Sequence, residues 1–146
     1  MNENIVKNFN KLLSNYFVVF VKLHNLHWNV VGINFKQIHE YLETLYNDIS
    51  VSFDTIAEVL KMHDQTPYAS LNCYMENSTI KEIDSIELDG CKVLNIVLHD
   101  FKELKCICDE IRCLSDKEGS YDIVNTMDKE LEWLNKQIWF INAMLK

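Results

Sequence analysis

The sequence predicts an all-α protein built from four long helices, and three observations carry that prediction. The chain has 146 residues, 48% of them hydrophobic, which suits one domain with a substantial core. It contains only three glycines and one proline, too few for the many turns of a β protein. These breakers, Gly32, Pro67, Gly90 and Gly119, divide the chain into long segments whose apolar residues recur every three to four positions. We therefore expect residues 1–146 to form a single helical domain.

The first two helices should form an antiparallel hairpin that turns at Gly32. The first helix should extend from about Asn4 to Val31, and its middle, Phe17 to Val21, is apolar on every side, which predicts burial on more than one face. The second helix should extend from about Phe35 to Asp64 and stop before Pro67. Its predicted core seam consists of Phe35, Ile38, Leu42, Leu45, Ile49, Phe53, Ile56 and Leu60.

The third and fourth helices should form a second hairpin. The third should extend from about Cys91 to Leu114, and the fourth should start near Asp122, a residue type that caps helix N-termini well. The connection before them, Tyr68 to Gly90, is long enough to cross the bundle lengthwise, and Leu71 to Asn77 could form a short extra helix within it. One long crossover between two hairpins is the ferritin-like arrangement of a four-helix bundle.

Charge and hydropathy narrow the range of possible functions. Lys and Arg total 14 against 22 Asp and Glu, so the formal net charge is −8. This balance disfavours a nucleic-acid-binding surface, which needs clustered positive charge, and suits a protein that attracts cations. No signal peptide is visible, and the apolar run from Tyr16 to Leu23 is too short to span a bilayer. We therefore expect a cytoplasmic protein with no membrane partner. The five cysteines lack a C-x-x-C pair and are expected to be reduced thiols.

Five side chains with metal-ligand chemistry lie in the first half of the chain: His27, His39, Glu43, Asp54 and Glu58. All but the first lie on the second predicted helix, where fifteen residues separate His39 from Asp54. At 1.5 Å per residue this distance is about 22 Å, far too large for one metal ion to bridge. A second copy in antiparallel orientation could bring the two carboxylates opposite the two histidines. The spacing therefore suggests a metal site shared between subunits.

Helical geometry places the four ligand candidates of the second helix in one stripe, separate from the apolar seam. The hairpin at Gly32 should bring His27 level with His39, and a two-fold axis across the helix would pair both halves reciprocally. Imidazole with carboxylate suits Fe(II), also permits zinc or manganese, and argues against calcium or magnesium. Taken singly, each of these residues is more typical of an ordinary polar position on a helix than of a metal ligand, and only the five together indicate a metal site. His24 is either a surface residue or a support for His27, and Trp28 is either a buried aromatic or an oxidisable group beside the metal.

The segment from His27 to Leu60, HWNVVGINFKQIHEYLETLYNDISVSFDTIAEVL, resembles the ferroxidase motif of the Dps family, the DNA-binding proteins from starved cells or mini-ferritins. The ligand spacings of twelve, four, eleven and four match throughout, and Gln137 to Phe140 extends the similarity towards the C-terminus. The resemblance implies a hollow homo-dodecamer built from two-fold dimers. It implies Fe(II) oxidation at the dimer interfaces, by hydrogen peroxide in preference to oxygen, storage of ferric mineral, and protection against oxidative damage.

Carried over by position, the resemblance assigns a role to each ligand candidate. His27 and His39 would bind iron from one subunit, with Glu43 nearby and Trp28 close to the iron. The partner subunit would supply the carboxylates of Asp54 and Glu58. No histidine follows a glutamate by three residues, so the Glu-x-x-His centre of ordinary ferritins, which lies inside the bundle, is disfavoured.

The chain also departs from the pattern of the Dps family. The family usually has aspartate where this chain has Glu43, and the longer side chain can alter the weaker second iron position. Asp122 matches one acidic residue of the family's three-fold iron-entry pores, whereas Asn125 stands where another acid is expected. The alternative contributors to such a pore are Asp116, Glu118 and Asp128.

DNA binding is the alternative function, that of a DNA-compacting shell in which iron chemistry is secondary. DNA-binding members of the family often use flexible, lysine-rich tails. Here only Lys7 and Lys11 lie near the N-terminus, and Lys146 directly follows the last helix. A net charge of −8 per subunit should repel phosphate. We therefore expect no direct DNA binding.

Overall fold

The computed structural model describes residues 1–146 and contains four long helices, one short helix and two very short strands. In chain order these elements are α1 Glu3–Asn29, β1 Val30–Val31, α2 Phe35–Met62, α3 Leu71–Asn77, β2 Leu88–Asp89, α4 Gly90–Glu118 and α5 Tyr121–Leu145. The helix α1 packs most extensively against α2, and α4 against α5. The predicted all-α bundle of two hairpins, joined by a crossover that carries a short helix, is confirmed. None of the helices is both long and apolar enough to cross a membrane.

The first helix ends two residues earlier than predicted. It ends at Asn29, and the extended residues Val30 and Val31 pair in parallel with Leu88 and Asp89. The β-branched valines favour this extended conformation over a helical one. Gly32, at φ 114°, then turns the chain into α2. The strand pair therefore ties the α1–α2 turn to the end of the crossover.

The boundary between α4 and α5 also differs from the prediction. The helix α4 continues to Glu118 instead of ending at Leu114, and Gly119 ends it in the left-handed conformation that often follows a helix. Ser120 occupies the N-cap position of α5, so the prediction that Asp122 caps this helix was wrong. Asp122 lies one position later than the helix start, in the first turn, where its negative charge suits the helix dipole.

A continuous cluster of 32 buried apolar residues fills the space between the helices. Most of the predicted α2 seam is buried in this core: Ile38, Leu42, Leu45, Ile49, Ile56 and Leu60. Phe53 is only partly buried, and Phe35, at the start of the helix, is 42% exposed, so its inclusion in the seam was wrong. All five cysteines are free thiols, and of these only Cys108 is buried.

Polar side chains of α1 hold the crossover against the bundle. The Oδ1 atom of buried Asn15 accepts hydrogen bonds from the backbone N–H groups of Thr79 and Ile80 at 2.9 and 2.8 Å. The ammonium group of Lys22, also buried, donates to the carbonyl of Lys81 and pairs with Asp100 of α4, both at 2.8 Å. These contacts satisfy polar groups that the core would otherwise leave unpaired.

Each long helix contributes one residue to a polar cluster inside the bundle. Glu130 of α5 accepts a hydrogen bond from the hydroxyl of Tyr16 of α1 at 2.5 Å and from Ser52 of α2 at 3.1 Å. The buried thiol of Cys108 of α4 lies beside Tyr16. Burial raises the pKa of Glu130, and the two hydrogen bonds oppose this rise only in part. The cluster therefore joins all four helices at the cost of burying an ionisable group.

Candidate metal centre

The turn between α1 and α2 brings His27 and His39 together. His27 lies in the last turn of α1 and is only 6% exposed, while His39 lies in the second turn of α2 and is partly buried. The two rings are stacked, with centroids 3.7 Å apart and planes inclined by 12°. Their spacing on either side of Gly32 in the sequence predicted that these two side chains would lie close together. The two imidazoles therefore form one half of a possible metal site.

Reciprocal hydrogen bonds to the main chain orient both imidazoles. The Nδ1 atom of His27 lies 2.7 Å from the carbonyl oxygen of His39, and the Nδ1 atom of His39 lies 2.8 Å from the carbonyl oxygen of His27. Since a carbonyl oxygen can only accept, each Nδ1 must carry the proton. In the neutral imidazoles, both Nε2 atoms then keep a lone pair. This is how proteins usually fix the tautomer of a metal-binding histidine.

Glu43 is exposed one turn after His39, and its only side-chain hydrogen bond comes from Tyr46. The Tyr46 hydroxyl donates to Oε1 of Glu43 at 3.2 Å. The Tyr46 ring stacks on that of His24, with centroids 3.8 Å apart, and meets the His27 ring edge-on at 5.2 Å. Desolvation raises the pKa of Tyr46, and the nearby Glu43 carboxylate adds to the rise, so the phenol stays protonated and can donate.

Sequence reasoning missed Tyr46, although the sequence contained a signal for it. Tyr46 lies seven residues after His39 and three after Glu43, so helical geometry places all three on adjoining parts of one face. His24 supports this group and is not a plain surface residue: its Nδ1 atom lies 2.8 Å from the carbonyl oxygen of Phe20.

Trp28 points away from the core, and 68% of its surface is exposed. The interpretation of Trp28 as an ordinary buried aromatic is therefore wrong. Its ring lies 5.4 Å from that of His24, and both line an open cavity of about 450 Å³ that extends to Glu82 in the crossover. A large exposed aromatic ring beside a partly buried histidine is typical of a surface that another molecule covers.

The carboxylate pair, Asp54 and Glu58, lies far along α2 from the histidines. Both residues are exposed, and the helix is unbroken from Phe35 to Met62, so about 22 Å separates His39 from Asp54 along its axis. Within one subunit, no three His, Cys, Asp or Glu side chains lie close enough together to hold a metal ion. The subunit thus carries two separate candidate half-sites, one of imidazoles and one of carboxylates.

Asp122, which the resemblance associates with an iron-entry pore, is exposed in the first turn of α5 and has a partner on α2's C-cap. The Nε2 atom of His63 lies 2.8 Å from its Oδ2 atom, and this hydrogen bond holds the pKa of Asp122 below its usual value. Of the alternative pore residues, Asp128 is engaged by the guanidinium of Arg112.

Comparison with known proteins identifies relatives of this chain in both sequence and structure. Residues 6–146 match the model of the ferritin-like domain. The chain is 33% identical over 144 residues to the DNA protection during starvation protein of Brevibacillus brevis, a match that covers 94% of this chain and 91% of that protein. The crystal structure of antigen TpF1 from Treponema pallidum has a TM-score of 0.96 and 33% identity, covering 98% of this chain and 92% of that chain.

A third relative connects the fold to metal chemistry. The Dps protein from Vibrio cholerae O1 is described as a member of a broad superfamily of ferritin-like diiron-carboxylate proteins. Its structure has a TM-score of 0.93 and 28% identity, and the match covers 99% of this chain and 90% of that chain. The agreement extends over the whole bundle, including the crossover. The chain therefore belongs to the ferritin-like superfamily and, within it, to the Dps family.

Proposed function

We propose that this protein is a ferroxidase and iron store that oxidises Fe(II) at centres shared between two subunits. The observation that carries the proposal is the division of ligands on one subunit. The imidazoles of His27 and His39 are fixed by the main chain with free Nε2 atoms, while Asp54 and Glu58 lie about 22 and 28 Å from His39 along α2. Two copies related by a two-fold axis would join these halves into two equivalent centres.

Exposed apolar side chains beside both half-sites support a shared centre. Trp28 adjoins His27 and is 68% exposed, while Val51 lies one turn before Asp54 and is 67% exposed. A partner packed along α2 would remove both side chains from water, which favours association. The same contact would bring the carboxylates to the imidazoles.

The ligand types suit oxidation of iron. Neutral imidazoles bind Fe(II) well through their nitrogen lone pairs. Carboxylates from the partner would stabilise Fe(III) more strongly than Fe(II), because the product carries the higher charge. With Glu43 close by, a second ion can bind next to the first. Two Fe(II) ions then give one electron each to hydrogen peroxide, yielding two Fe(III) and two hydroxide ions. Because peroxide accepts both electrons together at a paired centre, no hydroxyl radical would be released, and this favours hydrogen peroxide over oxygen as the proposed oxidant.

The proposal extends to the whole particle. Twelve subunits, arranged as two-fold dimers, would enclose a cavity in which ferric mineral collects in the cytoplasm. The negative charge of −8 per subunit attracts Fe(II) and opposes contact with DNA phosphates. Protection against oxidative damage would thus come from removing Fe(II) and peroxide together, without direct binding to DNA.

Loss of the carboxylate half-site tests the proposed function. In the double variant Asp54→Ala with Glu58→Ala, rapid oxidation of Fe(II) by hydrogen peroxide should be lost, because the imidazoles alone leave iron weakly bound. Stopped-flow absorbance of the ferric product measures the rate, and circular dichroism checks that the helices remain. A matched control, Asp109→Ala with Glu110→Ala, removes two exposed carboxylates of α4 and should leave the rate unchanged. Wild-type rates in the first variant would reject the assignment.

A further inference from the structure

We propose that Tyr46 is a positioning residue that holds Glu43 for the second iron ion of the centre. This inference rests on the proposed function. Tyr46 contacts both a candidate imidazole ligand and a candidate carboxylate ligand of the same subunit: its ring meets His27 edge-on at 5.2 Å, and its hydroxyl donates to Glu43 at 3.2 Å.

The ring of Tyr46 is enclosed by three other rings. His24 stacks on one face, with centroids 3.8 Å apart and an interplanar angle of 20°. Phe20 and His27 meet the ring at nearly right angles, at 6.4 and 5.2 Å. His24 is itself fixed by the contact of its Nδ1 atom with the carbonyl of Phe20 at 2.8 Å. The direction of the Tyr46 hydroxyl is therefore set by packing, as a residue that orients a ligand requires.

Glu43 depends on Tyr46 for its orientation. It is exposed and makes no ion pair, and its only side-chain hydrogen bond comes from Tyr46. The hydroxyl occupies Oε1 and leaves Oε2 free to bind a cation. Without this bond, a glutamate side chain explores several rotamers, and ordering it would oppose metal binding. Glutamate has one more torsion than the aspartate usual in the family, so it has more to gain from such an anchor.

The second iron position is the one that should depend on this contact. The first ion would have four strong ligands, His27 and His39 with the partner's carboxylate pair, and does not need Glu43. A second ion would have fewer ligands, so the fixed oxygen of Glu43 would form a larger part of its site. Loss of a residue that orients a ligand typically weakens metal affinity about 10–100-fold.

Anaerobic titration of the assembled protein with Fe(II) tests the role of Tyr46 without any turnover. By calorimetry, wild type should bind two classes of Fe(II). Tyr46→Phe should keep the tight class and weaken the second about 10–100-fold. The control Tyr41→Phe removes another hydroxyl of α2, one that donates to Gln137, and should bind as wild type. Unchanged affinity for the second ion in Tyr46→Phe would overturn the inference, as would a single class of ions in wild type.

A double-mutant cycle separates positioning from a general structural effect. Glu43→Gln should weaken the second ion, and adding Tyr46→Phe should then have little further effect, because the two residues act as one unit. Full additivity would overturn the inference. Failure of the proposed function has a different signature: Asp54→Ala with Glu58→Ala would bind the tight ion as wild type does, whatever Tyr46 does.

Discussion

Individual side chains in this protein owe their chemistry to the main chain around them. His27 lies where α1 ends, and carbonyl groups in a last helical turn lack their normal helical partners. The ring of His39 supplies a donor to the His27 carbonyl, and the His27 ring reaches the His39 carbonyl in return. One pair of contacts thus joins two helices and also selects the tautomer that leaves Nε2 free.

The positions of the candidate ligands could be predicted at the residue scale, but the tertiary contacts that orient them could not. Spacing alone indicates that His39 and Asp54 of one chain are too far apart to share an ion. The reciprocal carbonyl contacts and the ring packing of Tyr46 depend on how closely α1 and α2 approach each other. Helical periodicity fixes the face of a helix and leaves that distance undetermined.

Glu130 should make the stability of the protein depend on pH. Its folded-state pKa is raised by burial, so its favourable contribution is complete below the ordinary value of about 4.5 and is lost as pH rises through the raised value. Glu130→Gln keeps the shape and removes the ionisation. We expect the variant to gain stability relative to wild type as pH rises towards neutrality. Urea unfolding at a series of pH values measures this, and an equal difference at all pH values would contradict it.

Whole elements were predicted well where one long apolar period extends between two breakers. The predictions of several helix ends were wrong, for identifiable reasons. The β1–β2 pair joins residues 30–31 to residues 88–89, a contact that no local pattern reveals. The predicted end of the third helix followed the last apolar residue, Leu114, whereas α4 continues until Gly119 provides a left-handed stop. Ser120 is the one residue between Gly119 and the start of α5 at Tyr121, and it takes the N-cap position.

The anchoring of the crossover by Asn15 gives a prediction at the scale of elements. Asn15→Ala would leave the buried N–H group of Ile80 and the partly buried N–H group of Thr79 without an acceptor, so the free energy of unfolding should fall by about 1–3 kcal/mol. Urea unfolding measures the loss, and hydrogen exchange should accelerate at residues 78–81. The control Asn8→Ala removes an exposed amide of the same helix and should change stability by less than about 0.5 kcal/mol. Equal stability of both variants would contradict this account.

At the scale of the whole molecule, shared centres predict complementation between two inactive variants. One variant carries His27→Ala with His39→Ala, and the other carries Asp54→Ala with Glu58→Ala. A mixed dimer contains one intact centre and one centre that lacks all four ligands. A random one-to-one co-assembly should therefore recover about one quarter of the wild-type centres. Fe(II) oxidation by the co-expressed protein measures this, and no recovery in confirmed mixed particles would exclude shared centres.

The charge of the assembled particle predicts its behaviour towards DNA. With −8 on each subunit, a gel-shift assay at low salt should show no retardation of duplex DNA. Retardation that disappears as salt is raised would contradict this expectation and support the alternative of a DNA-compacting shell. Neutralising acidic groups by lowering the pH provides a positive control, since repulsion should then weaken.

Because α2 is uninterrupted, it would fix both the distance and the rotation between the two candidate half-sites in the proposed assembly. Insertion of one residue between Glu43 and Asp54 would rotate everything beyond it by about 100° and advance it by about 1.5 Å. In the proposed dimer each α2 helix would contribute to both centres, so one insertion would misalign the two centres together. Insertions and deletions should therefore be tolerated in the crossover and at the termini. Within α2, a change of one residue should abolish the proposed centres.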